Sequence, residues 1–281
     1  MIGFPNRVDA ATLSNGSWLS SLPLSNLQSR ILGKVARSTD ATNASTKLDI
    51  DLGSGKKVRL VCLINHNISI SGRYRVRGGS DNTFVTTSYD SGWNDVWPVV
   101  FPWPILDWTD DNWWSGKYTA EEIAGFTTAL VVILPYDIVA EYWRIEIDDT
   151  TNAAGYVQAG RIFIGPALSP TYAHVFGSSV GWETKTDVQE AIGGAEYFQR
   201  RAPYRVSKVN FAGLTEDEGM SLAFELDRRA GIDQEVFWIH DIADTVHALR
   251  RRFLARIRQL DQIEFPYPNN MTRAYELKEL L

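Results

Sequence analysis

The run 141–148 reads E-Y-W-R-I-E-I-D, and its alternation strongly limits the backbone it can adopt. On an extended chain Tyr142, Arg144, Glu146 and Asp148 fall on one side, and Trp143, Ile145 and Ile147 on the other. A period of two defines a half-buried strand with one wet face and one core face. After the loop D-T-T-N-A-A-G, the run 156–165 (Y-V-Q-A-G-R-I-F-I-G) gives a second strand-like stretch. Two such strands joined by a polar loop direct this part of the chain toward antiparallel structure packed on one face.

Other stretches of the first 168 residues agree. The run 58–64, V-R-L-V-C-L-I, is apolar and bounded by turn residues, and 72–78, G-R-Y-R-V-R-G, alternates again. The run 127–135, T-T-A-L-V-V-I-L-P, is short, apolar and β-branched, which suits a buried strand. Thr119, with Glu122 three residues on, predicts a single capped helical turn. Many short strands with Gly, Asn, Asp and Ser between them predict a β-sandwich.

The stretch 165–171, G-P-A-L-S-P-T, resists both ladder and helix, and predicts a boundary between domains 1–168 and 169–281. Beyond it, 215–230 reads as a helix. Thr215 and Glu218 form a capping box, acids crowd the first turn, Arg228 and Arg229 sit in the last, and Gly231 follows. Runs 204–211 and 235–240 read as strands on either side. Run 250–260 fits a helical stripe through Leu249, Phe253, Ile257 and Leu260, and also a strand face through Phe253, Ala255 and Ile257.

Totals exclude several classes. The 281 residues allow two domains with real cores. The net charge is -6, and residues 171–281 carry 14 Lys+Arg against 17 Asp+Glu, so no basic half exists to bind nucleic acid. The single cysteine, Cys62, lies in an apolar run and cannot form an internal disulfide. No stretch approaches 18 apolar residues, so no membrane-inserted helix is expected, and the N-terminus lacks a signal pattern. These features predict folding in a reducing cytoplasm, where the sequons at Asn15, Asn43, Asn67 and Asn270 carry no glycan.

A catalytic constellation is missing. His66, His174, His240 and His247 have no metal-ligand spacing, and neither phosphate-binding nor hydrolase motifs occur. The expectation is no enzyme, no catalytic residue, no metal and no cofactor. His66, in N-H-N at a strand end, reads as a turn residue with a hydrogen-bonded ring. Six of the ten Trp lie between Trp93 and Trp114, and Pro98, Pro102 and Pro104 keep that stretch irregular. Two readings of this long aromatic loop compete: rings folded onto the sandwich or a neighbouring subunit, and rings stacked on sugars. In the second, Trp108, Trp113 and Trp114 with Asp110 and Asp111 form the carbohydrate-binding set, Trp113 and Trp114 being the exposed pair.

Ala36 to Ser38 (A-R-S), 48–53 (L-D-I-D-L-G) and 58–69 (V-R-L-V-C-L-I-N-H-N-I-S) together resemble the discoidin-like, galactose-binding-like jelly roll. That resemblance covers about residues 1–168. The whole chain also resembles tailed-phage tail proteins, through a jelly roll opened by W-L-S-S-L-P-L-S-N-L and a second domain ending in E-L-K-E-L-L. The second domain is similar to the tail-tube and distal-tail family. The implied fold is mainly β: an N-terminal β-sandwich jelly roll plus a C-terminal α+β split barrel with one packed helix, in which 250–260 is strand. The implied function is a non-enzymatic virion protein of a tail tip or baseplate, assembled in the host cytoplasm. Its partners would be itself in a ring, other tail proteins and a host-surface glycan. Trp182, Tyr197, Phe198, Arg200, Arg201, Arg228 and Arg229 are the candidate subunit contacts. The alternatives are a free-standing lectin-like protein, and a glycan-active enzyme drawing its acids from Asp107, Asp110 and Asp111.

Overall fold

A computed structural model describes all residues except 103, 104, 173 and 176. The chain divides into two units, one of Gly3–Ala167 with Ile239–Arg252, the other of Met1–Ile2, Leu168–Trp238 and Phe253–Leu281.

The strands up to residue 168 are β1 (Ile2–Gly3), β2 (Thr12–Ser14), β3 (Ala36–Arg37), β4 (Leu48–Ile64), β5 (Arg73–Gly79), β6 (Thr87–Asp90), β7 (Asn94–Asp95), β8 (Ala129–Asp148), β9 (Gln158–Ala159), β10 (Arg161–Gly165) and β11 (Ala167–Leu168). The main sheet of the first unit runs β10-β4-β8-β5-β6, with β2 added on β4 and β7 on β5. Its two long strands, β4 and β8, each join two runs that the sequence shows separately. Their pairing shifts register between Asp51 and Lys56 and again between Val58 and Leu60. Across these irregularities the core-facing positions change parity: Leu48, Ile50 and Leu52 before, Val61 and Leu63 after. On β8 the change runs from Leu130, Val132 and Leu134 to Trp143, Ile145 and Ile147. Both halves of each strand therefore face one core, so the sheet folds over into two layers at its bulges.

The alternation of 141–148 holds in space. Trp143, Ile145 and Ile147 are buried, while Arg144 pairs with Asp49 at 2.5 Å and Asp148 with Arg73 at 2.8 Å on the other face. The run 156–165 is interrupted at Gly160. Any Cβ there would stand 2.4 Å from the Leu32 carbonyl oxygen. The chain turns at that point, leaving β9 on β3 and β10 on β4.

The second unit adds β12 (Ser179–Glu183), β13 (Asp187–Glu190), β14 (Glu196–Gln199), β15 (Tyr204–Leu214), β16 (Glu235–Ile239), β17 (Arg252–Gln259), β18 (Glu264–Tyr267) and β19 (Asn270–Glu279). Here the expected split barrel is corrected. The sheet runs β11-β1-β16-β17-β19-β15-β12, with β18 on β19, and its two ends do not pair with each other. One physical reason is that the end strand β12 is exposed at four of its five residues and offers no apolar face for closure. The architecture is mainly β, with an open sheet and a few short helices. Within run 250–260 the strand is Arg252–Gln259, preceded by the single helical turn Ala248–Arg251.

The expected helix forms, though its first turns are wide. Glu218–Phe224 is π-type and Glu225–Ala230 is α-helical. The Thr215 and Glu218 capping bonds are both present, at 3.1 and 3.3 Å. At Gly219 a Cβ would stand 2.2 Å from the Met271 sulfur, so the helix packs closely on β19 and a larger residue there would have to displace the Met271 side chain.

Candidate functional site

The tryptophan-bearing segment is anchored before it is exposed. Trp97 is buried, and its Nε1 donates to the Ile68 carbonyl at 3.1 Å. Its ring meets Tyr118 edge-on at 6.5 Å and His66 at 5.8 Å. Further on, the Val100 and Phe101 N–H groups both donate to the Gly116 carbonyl, at 2.9 and 3.0 Å, and close the loop at its base. Gly116 has φ 60°, a left-handed conformation that glycine adopts without strain. The Thr119–Glu122 capping box, with bonds of 3.1 and 2.9 Å, fixes the chain that leaves the loop.

Within the loop, Asp110 is spent on structure. Its carboxylate accepts the Asp107 N–H at 2.8 Å, and its carbonyl accepts the Trp113 N–H at 3.0 Å. Asn112 is buried and donates to the Lys117 carbonyl at 3.0 Å. Asp111 faces solvent. Trp108 and Trp114 stand out at 78% and 90% exposure, whereas Trp113 is half-buried. Of the expected exposed pair, Trp114 is the exposed member and Trp108 joins it. Trp103 and Pro104, also counted in the aromatic stretch, lie outside the described residues.

Sequence reasoning did not place the polar row beside this loop. Strands β7, β5 and β8 set Asp95, Arg73 and Asp148 side by side in register. Arg73 pairs with Asp148 at 2.8 Å, and the Lys117 ammonium lies 2.7 Å from Asp95. The Arg73 guanidinium sits 5.9 Å from the Trp93 ring centroid, and Trp93 is 40% exposed. Cross-strand register brings these residues together, and register is not written in any one of their local motifs. Below the row, buried Asp149 accepts from the Ser69 N–H at 2.9 Å and from Asn152 at 2.7 Å, which ties the strand ends together.

The Trp93 ring lies next to fixed donors and acceptors of the row, and Trp108 and Trp114 add exposed apolar rings on the loop. Such a surface can stack on the C–H face of a sugar and hydrogen-bond its hydroxyls. His66 is turned inward, its Nδ1 accepting the Ile68 N–H at 3.3 Å, and burial pushes its imidazole down to about 3. Among the described residues no three His, Cys, Asp or Glu side chains gather as a metal site.

The expected subunit contacts fall in two places. Trp182 lies on β12, Tyr197 and Phe198 on β14, and Arg200 and Arg201 just after it, all exposed. Arg228 and Arg229 lie on the helix, where Arg228 pairs with Glu225 at 2.6 Å. Exposed Val188 and Ile192, near Tyr197 and Phe198 in the same hairpin, escaped sequence reasoning because alternate apolar residues read equally well as core.

No family model matches the sequence, and no curated protein matches it. Several solved structures resemble part of it. A CBM32-1 module from a family 31 glycoside hydrolase of Clostridium perfringens shares 12% identity over 58% of this chain and 99% of that chain, with a TM-score of 0.39. A fucose binding module of Streptococcus pneumoniae shares 16% identity over 57% and 94%, with a TM-score of 0.37. A family 32 CBM of Clostridium perfringens, in complex with galactose, shares 13% over 58% and 98%, with a TM-score of 0.38. Likenesses at this level do not by themselves assign a function.

Proposed function

We propose that the first unit is a non-catalytic carbohydrate-binding module of jelly-roll type, and that it binds glycan through the loop bearing Trp93, Trp108 and Trp114. The observation that carries this reading is the exposure of Trp108 and Trp114 on a loop whose base is held by the buried Trp97. Indole rings fixed in water on a braced loop lose little conformational entropy when they stack on a ligand. Asp110 supports the loop from within, and Asp111 is free to accept from a sugar hydroxyl. A glycan array probed with the whole chain tests the reading. Retention of defined glycans, lost in the Trp108→Ala, Trp114→Ala double variant, supports it. An array with no retained glycan removes it.

A second reading is a structural component of a phage tail tip or baseplate that carries the sugar-binding unit toward a host-surface glycan. The exposed hairpin of the second unit, which holds Tyr197 and Phe198, favours an assembling protein over a free lectin. Peptide mass spectrometry of purified virions from a lysogen carrying this gene tests it, since a virion protein persists through density-gradient purification.

A further inference from the structure

A cavity of about 130 Å³ lies at the base of the aromatic loop. Every residue lining it belongs to the first unit. Val96, Trp97, Val100 and Leu130 are buried walls, and Leu249, from the segment Ile239–Arg252 of the same unit, adds a fifth. Asp95 and Thr245 also line it, and they are exposed, so they mark its rim. A cavity of about 150 Å³ takes one benzene ring. The space here is therefore sized for a single ring, with substituents reaching out at the mouth.

One lining residue carries a charge without an ion pair. Three arginines follow one another at 250–252. Arg250 reaches Glu122 at 3.7 Å, and Arg251 pairs with Asp244 at 2.8 Å. Arg252, the one that lines the cavity, forms no ion pair among the described residues. Its Nη2 donates to the carbonyls of Asp241, Ile242 and Asp244, at 3.4, 3.1 and 2.6 Å. Its Nε is buried and meets no acceptor. Burial disfavours the charge, and attraction from Asp244 and Asp241 offsets part of that. A half-buried guanidinium held by carbonyls alone still lacks the planar acceptor that suits its fork.

The other polar lining groups suit hydroxyls. Tyr74 is half-buried, and burial pushes its phenol up to about 12, so it stays a neutral donor and acceptor. Thr245 offers a second hydroxyl. Asp95 offers a carboxylate whose charge is balanced by Lys117 at 2.7 Å, so it accepts hydrogen bonds without repelling an anion strongly. The aromatic wall is fixed in advance: the Tyr118 hydroxyl donates to the Val246 carbonyl, and its ring meets Trp97 edge-on at 6.5 Å. Apolar walls with a few convergent polar groups are the usual build of a small-ligand site.

We propose that this cavity takes one hexuronic acid residue of a glycan, with its carboxylate on Arg252 and its hydroxyls on Tyr74, Asp95 and Thr245. The ring is a sugar because three hydroxyl-matching groups converge on a space for one ring. It is an acidic sugar because the unpaired guanidinium is the one charge in the lining that no carboxylate balances. The inference rests on the reading of the first unit as a glycan binder and names the sugar class that it selects. Trp108 and Trp114 do not line the cavity, so they would hold the neighbouring residues of a longer glycan.

Isothermal titration calorimetry on the whole chain tests the proposal. The probes are the methyl glycosides of glucuronic, galacturonic and mannuronic acid, each beside its neutral parent hexoside. At least one uronide should bind at least about tenfold tighter than its parent, the scale of one charge-assisted hydrogen bond. Arg252→Gln should erase that preference. Tyr74→Phe, which removes a single oxygen, should weaken uronide and hexoside alike by about fivefold. The Trp108→Ala, Trp114→Ala variant should keep its uronide affinity within about twofold, as remote sites do. Circular dichroism establishes that the variants are folded, and Tyr74→Phe and the double variant decide the matter if Arg252→Gln is not. The proposal is overturned if no uronide binds, if parents bind equally well, if folded Arg252→Gln keeps the preference, or if the loop variant loses the uronide. An array that retains neutral glycans alone also overturns it, while leaving the loop reading in place.

Discussion

The Trp97 indole N–H and the Ile68 carbonyl, 3.1 Å apart, join the base of an exposed aromatic loop to the end of the first unit's core. Trp97 contributes ring packing as well as this bond. Trp97→Ala should destabilise the unit by about 3–5 kcal/mol, as large core truncations do, and Trp97→Phe by less. Trp114→Ala, which removes an exposed ring, should leave stability within about 0.5 kcal/mol. Urea titration of the three variants checks the order.

A buried ion pair holds the second unit's central strands. Arg205 and Glu279 each keep 2% of side-chain exposure, and the Arg205 N–H and Nε both donate to Glu279 Oε2, at 2.8 and 2.9 Å. Glu279→Ala strands the guanidinium and should cost about 3–5 kcal/mol. The double variant Arg205→Met, Glu279→Leu should recover most of that loss. Thermal unfolding of the single and double variants measures the difference.

Legibility in the sequence followed how local the cause was. Trp143, Ile145 and Ile147 alternate and are buried, and both capping boxes stand where Thr119 and Thr215 placed them. The fusion of two runs into β4 was not legible, because it depends on pairing with β8 some eighty residues on. The break at Gly160 is set by a carbonyl of Leu32, equally remote in sequence. Most of run 250–260, Arg252–Gln259, is a strand, as the barrel resemblance implied, yet the barrel is absent. What makes it a strand is pairing with β19, from Ala255 opposite Glu279 to Gln259 opposite Glu276. In the aromatic loop, composition revealed the cluster, but which rings are buried and which face water, Trp97 against Trp108 and Trp114, was not written in it.

Acid should weaken the fold through His66. Burial holds the folded imidazole down to about 3 against an ordinary value of 6.5. The unfolded chain takes up this proton as pH falls through 6.5, and the folded chain does not until about 3. The contribution is therefore complete above 6.5 and shrinks by about 1.4 kcal/mol per pH unit across the window below it. His66→Phe should narrow the loss of stability between about pH 7 and pH 5 by about 2 kcal/mol. Denaturant titration of both proteins at the two pH values reads the difference directly.

Cys62 is fully buried, and burial pushes its thiol well up. Thiol reagents should label it only after the first unit unfolds, so labelling under denaturant should track the loss of near-ultraviolet dichroism.

The central claim is that exposed indoles bind sugar, and titrating the protein's own tryptophan fluorescence with an array-selected glycan tests it most directly. The account predicts a saturable change in emission, with affinity about tenfold weaker in Trp114→Ala and binding lost in the folded Trp108→Ala, Trp114→Ala protein. Unchanged affinity in that double variant would contradict it.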